Sequence, residues 1–162
     1  MIARRKTVGE LGCGRGGRRV GWRGMDKYTS TTTLGDSARC RTIFTASGNS
    51  FTTDLDCSQG GLGENPVPAA MLAAAAASCM LSMIAFKGKQ KGFETKGICI
   101  SAGVEHDANG ISALLFDIHV PMPQTEETKR LLESCVKSCP VGKAISENVE
   151  KRFSWHWTTW MD

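Results

Sequence analysis

The chain of 162 residues is long enough for one domain plus a tail, and 41% hydrophobic against 22% charged residues indicates a folded body rather than disorder. Its formal charge of +4 is unevenly placed: residues 1–24 carry seven Lys/Arg against the single acid Glu10, and the remainder is slightly acidic. Whole-chain basicity is therefore no argument for nucleic-acid binding.

Residues 1–24 interleave seven glycines with arginines and show no apolar periodicity, so they read as a disordered basic extension ahead of a domain over 25–162. No apolar stretch there resembles a secretory segment. From Tyr28 the pattern changes. Thr29 to Leu34, Arg39 to Ala46 and Phe51 to Leu55 are strand-like, separated by the turns Gly35-Asp36-Ser37 and Ser47-Gly48-Asn49-Ser50, which predicts a three-stranded antiparallel meander. Ser58 to Pro68 is a loop. Pro68 then opens a helix running from Ala69 to about Lys87, apolar or small at nearly every position and expected to be covered on most sides. Its longest apolar run, Ala69 to Ala77, is nine residues, too short to span a bilayer.

Two more strands are expected at Lys96 to His106 and Ile111 to Val120, the second with Asp117 and His119 facing away from Phe116, Ile118 and Val120. Thr125 caps a helix through Val136 with Glu126 and Glu127 in its first turn, Pro140 to Ser146 forms a short helix, and Val149 to Trp157 alternates as a last strand. The order predicts an α+β fold, with an antiparallel sheet packed on a long central helix. Such an apolar helix calls for a second subunit to finish its burial.

Seven cysteines, at 13, 40, 57, 79, 99, 135 and 139, are neither a dense disulfide scaffold nor arranged as Cys-x2-Cys, so a structural zinc site is not expected. A reducing cytoplasm with one or two chemically used thiols fits this usage. Cys79, inside the apolar helix, is either a small buried hydrophobe or a redox thiol. Cys139 sits just before a proline-started turn, where free helix N-terminal N–H groups favour a thiolate, and Cys135 lies one helical turn earlier. Arg39 and Arg41 flank Cys40 and share the opposite strand face; either is able to pair with a thiolate or to be an ordinary charged face. Cys40, Cys57 and Cys99 read as structural.

The run Gly60-Gly61-Leu62-Gly63, then Asn65-Pro66-Val67-Pro68, then a small-residue helix ending in Cys79, then Cys139-Pro140-Val141 about 60 residues on, resembles the OsmC/Ohr family of organic hydroperoxide-reducing proteins over roughly residues 26–157. The resemblance implies an intertwined homodimer built on two long central helices. It implies that Cys79 is the peroxidatic cysteine and Cys139 the resolving one, served by an arginine from the N-terminal hairpin and a glutamate just after the proline before the helix. That glutamate is missing: Ala69 stands at its position with Ala70 beside it, and Glu64 is the only nearby acid. Asp36 stands where the arginine is expected, leaving Arg39 or Arg41 as substitutes.

The implied function is a thiol-dependent peroxidase acting on organic hydroperoxides and hydrogen peroxide, recycled by a small or lipoyl-type dithiol. No cofactor, metal, nucleic acid or membrane is expected. The alternative is a relative that keeps the fold and thiols as a catalytically weak redox-stress or small-molecule-binding protein; a third reading assigns nucleic-acid binding to the Arg/Gly extension.

Overall fold

The computed structural model describes residues 28–158; the basic extension predicted over 1–24, with Cys13, lies outside them. The chain runs through strands β1 (Ser30–Leu34), β2 (Cys40–Phe44) and β3 (Ser50–Thr53), a 3-10 turn at Cys57–Gln59, and helix α1 (Pro68–Lys91). Strands β4 (Cys99–Asp107) and β5 (Gly110–Val120), helices α2 (Glu126–Lys137) and α3 (Pro140–Ala144), and strand β6 (Glu150–Trp157) complete it. The α+β class and the central helix stand.

The sheet expectation needs correcting. The described strands form two three-stranded sheets, β1-β2-β3 and β4-β5-β6, and only the first is wholly antiparallel. In the second, β4 and β5 are an antiparallel hairpin but β6 runs parallel to β5, pairing Phe116 with Phe153 and His119 with His156. The reason lies between them: α2 and α3 form a crossover, which returns the chain to the end of the sheet where β5 began.

Capping explains the helix limits. Pro68 occupies the first turn of α1, and Gly92, at φ 68°, closes it in a left-handed cap. Thr125 and Thr128 bond reciprocally in a capping box at the start of α2, with Glu126 and Glu127 on the positive helix end. On one side α1 buries Ala73, Ala76, Ala77, Met80, Ile84 and Gly88 against β4, α2 and α3. There they meet Leu114, Phe116, Ile118 and Val120 of β5 and Leu132 of α2 in one core.

Among the described residues of one chain, a single layer lies against the helix and its other side stays open. Leu72 and Phe86 remain exposed, with Ala74, Ala75, Ser78 and Ala85 on the same open side. Nor does the nine-residue run measure it: α1 has 24 residues and, by length and composition alone, is long and apolar enough to cross a membrane. Ser78, Cys79 and Ser82 end the apolar run without making the helix polar. The N-terminal sheet makes no substantial packing contact with α1 or with the second sheet, and it exposes Leu34, Ile43 and Phe44.

Candidate functional site

Cys79 and Cys139 come together through packing of α3 on α1. Cys139 is the residue that caps α3; its Sγ accepts a hydrogen bond from the Gly142 N–H at 3.4 Å and its thiol points to the Ala76 carbonyl of α1 at 3.9 Å. Cys139 is fully buried, Cys79 is half-buried, and both thiols are free. The expectation that Cys139 favours its thiolate is overturned. Burial pushes its thiol above the usual range, the Gly142 N–H opposes this, and the neighbouring Cys79 side chain raises it further by hydrogen bonding and charge. The Cys139 sulfur thus lies against the turn of α1 that carries Cys79.

Cys135 is also fully buried and its thiol is raised by burial, which the Lys87 charge partly offsets. Lys87 itself donates to the Ser138 hydroxyl at 3.0 Å, beside the end of α2. Cys40 is half-buried and pairs with Leu34 and Thr53 across the meander; Cys57 is exposed and donates to the Leu62 carbonyl at 3.2 Å.

A second cluster forms around Arg39. The β1–β2 hairpin turns through Ser37 and Ala38, both at positive φ (54° and 56°), the backbone that a tight hairpin requires. Arg39 therefore precedes strand β2 rather than lying within it. Its Nη2 donates to Asp54 Oδ2 at 2.8 Å and to Glu64 Oε2 at 2.6 Å. The loop path after β3 thus does bring Glu64 to an arginine, while the first turn of α1, with Ala69 and Ala70, holds no acid.

Asp54 is the residue that sequence reasoning missed. It is 1% exposed, and besides Arg39 it accepts from the Leu62 N–H at 3.3 Å and the Glu64 N–H at 3.4 Å. The Arg39 guanidinium holds its carboxyl below the usual carboxylate range against the cost of burial. An acid closing an otherwise apolar and β-branched strand, just before a glycine-rich loop with N–H groups to satisfy, was the available signal.

Arg41 donates to Ser50 Oγ at 3.4 Å. Arg39 and Arg41 line one surface cavity of about 580 Å³, together with Asp36, Leu34, Ile43 and Leu62. Among the described residues neither arginine bonds to Cys79 or Cys139.

The loop itself is tightly wound. A Cβ added at Gly61 would stand 2.0 Å from the Leu55 carbonyl oxygen and 2.4 Å from its carbon. Backbone cannot yield there as a side chain tip can, so Gly61→Ala is expected to lower stability by about 2 kcal/mol, read by thermal or urea unfolding.

The model of the OsmC-like protein family matches residues 61–153. The chain belongs to the OsmC-like family. Comparison with curated protein sequences gives no match. Among solved structures, the OsmC-like fold recurs in a Psychrobacter arcticus protein ascribed to osmotic stress induction and detoxification. It is 24% identical, with a TM-score of 0.77 over 83% of this chain and 99% of that one. It recurs in an organic hydroperoxide resistance protein OsmC from Legionella pneumophila, 18% identical, TM-score 0.65, covering 81% of this chain and 98% of that one. The organic hydroperoxide resistance protein OhrB of Bacillus subtilis is 17% identical, with a TM-score of 0.59 over 79% of this chain and 98% of its own. At these identities the likeness establishes the OsmC-like architecture.

The fold also draws Cys99, His119 and His156 into one cross-strand row on the outer face of the second sheet, where the two imidazoles stack at 4.6 Å. Among the described residues, no three Cys, His, Asp or Glu side chains are placed to hold a metal ion.

Proposed function

We propose that this OsmC-like protein is a cytoplasmic thiol-dependent peroxidase for organic hydroperoxides and hydrogen peroxide, with Cys79 as peroxidatic and Cys139 as resolving cysteine. The observation that supports the reading is the free, buried Cys139 thiol lying against the turn of α1 that carries the free Cys79 thiol. The Cys79 thiolate attacks the distal peroxide oxygen, the O–O bond breaks, and the leaving alkoxide takes a proton to become alcohol. Cys79 is then a sulfenic acid. The Cys139 sulfur displaces its hydroxyl, which leaves as water with the Cys139 proton, and a disulfide remains. A dithiol of small or lipoyl type reduces that disulfide and is itself oxidised.

A homodimer completes the site. Among the described residues the N-terminal sheet finds no packing partner, and α1 keeps an open apolar side. Intertwining two copies covers both and delivers the Arg39–Glu64 pair to the thiols. Arg41 lines the approach and Glu64 stands in for the acid absent at Ala69.

The alanines of that first turn favour one other reading, a weakly active redox-stress or small-molecule-binding relative. Consumption of cumene hydroperoxide and hydrogen peroxide by the full chain with dihydrolipoamide separates the two. The peroxidase reading requires turnover many times the dithiol-only rate; a rate equal to that blank overturns it and leaves ligand binding.

A further inference from the structure

Both carboxylates of the Arg39 cluster bind the same atom, Nη2, yet they differ in every other respect. The Glu64 side chain is 66% exposed and, among the described residues, is held by that ion pair alone, so water competes for it and its hold is weak. The Asp54 side chain is wholly buried and is tied by both oxygens, Oδ1 to the Leu62 N–H and Oδ2 to Arg39 and the Glu64 N–H. Its own N–H donates to the Pro66 carbonyl at 3.2 Å. Losing either partner of such a pair leaves a buried charge uncompensated, so it does not exchange readily.

We infer that Asp54 is the positioning residue of this cluster: it holds the Arg39 guanidinium and the 62–66 loop in fixed register, so that Glu64 leaves the guanidinium without the guanidinium leaving the site. For its kinetic consequence the inference rests on the peroxidase reading; for the positioning itself it rests on the geometry alone. Release of Glu64 opens an Nη2 donor toward an incoming peroxide oxygen. Asp54 stays behind and keeps Arg39 aimed.

A second atom of the cluster supplies the test. Arg39 Nε is buried and has no hydrogen-bond partner among the described residues, so its proton is shielded from solvent only while the guanidinium is held in place. In reduced, full-length, isotope-labelled protein, a slowly exchanging Arg39 Nε–H signal is expected. Glu64→Gln should keep it and Asp54→Asn should lose it. In kinetics with cumene hydroperoxide, Asp54→Asn should lower kcat/KM about tenfold in the wild-type background and less than twofold in Arg39→Ala, because it acts through that side chain.

Loss of the signal in Glu64→Gln overturns the inference, as does its survival in Asp54→Asn or a full tenfold loss on top of Arg39→Ala. Glu64→Gln lies at an exposed position, so it decides the question even if Asp54→Asn fails to fold. Should the wild type show no turnover, the peroxidase reading falls and the exchange measurement still judges the positioning.

Discussion

Replacing Cys79 with serine is expected to reduce peroxide consumption by about a thousandfold or more, because a hydroxyl has almost no anionic form at neutral pH and cannot replace the thiolate as nucleophile. Cys139→Ser should behave differently. It keeps the attacking sulfur and loses the one that closes the cycle, so it is expected to complete one turnover and stall. Intact masses after one equivalent of cumene hydroperoxide distinguish the two. The wild type loses about two mass units as a disulfide forms, Cys139→Ser gains about sixteen as the sulfenic acid is stranded, and Cys79→Ser is unchanged.

Cys135 provides the control. It is buried one helical turn before Cys139, so a slow loss of two mass units in Cys139→Ser that disappears in Cys135→Ser/Cys139→Ser would identify it as a substitute resolving thiol. A full wild-type rate in Cys79→Ser would remove the assigned roles altogether. The raised thiol of Cys139 adds a pH signature. Because burial raises it, resolution should quicken as pH rises toward its deprotonation.

Local signals carried most of this fold. The turn residues between β1, β2 and β3, Pro68 at the head of α1 and the Thr125 cap each act within a few residues and stand where expected, whereas α1 runs past the expected end near Lys87, through Gly88, to Lys91. The parallel pairing of β6 was not legible, since Val149 to Trp157 alternates identically whichever way its neighbour runs. The site shows the same division. Cys139 stood out through the proline-started turn after it, Cys79 only through the family resemblance, and Glu64 as the only acid near the gap left by Ala69. Asp54 did not, because its importance comes from burial beneath a loop whose path depends on glycines such as Gly61. The thiolate expected at Cys139 failed for a related reason: the helix-end N–H was correctly anticipated, and the depth of burial that outweighs it was not.

Breaking the proposed dimer is expected to give the second large effect. Wild-type protein should elute at twice the 17.5 kDa chain mass, and Phe86→Asp or Ala74→Glu at the mass of one chain. Phe86 is 61% exposed on the open side of α1, and Ala74 lines a shallow groove there with Ser78, Leu81, Ser82 and Ala85. Small residues let a second backbone approach closely, and a glutamate at Ala74 fills that space with a charge. Covering a phenylalanine contributes about 2 kcal/mol, and in a two-fold interface each substitution counts twice. Together with the cost of an unpaired carboxylate, this should weaken association at least a hundredfold. The monomer should remain folded, because α1 keeps its buried face of Ala73, Ala76, Met80 and Ile84 against β4, α2 and α3. Its chemistry should then divide in a telling way. The thiol pair belongs to one chain, so a small disulfide-forming oxidant such as diamide should still join Cys79 to Cys139. Peroxide turnover needs the guanidinium cluster as well, and it should collapse with the dimer. A monomeric variant that turned over cumene hydroperoxide at the wild-type rate would show instead that Arg39 and Glu64 reach the thiols of their own chain, or that the reaction does not use them.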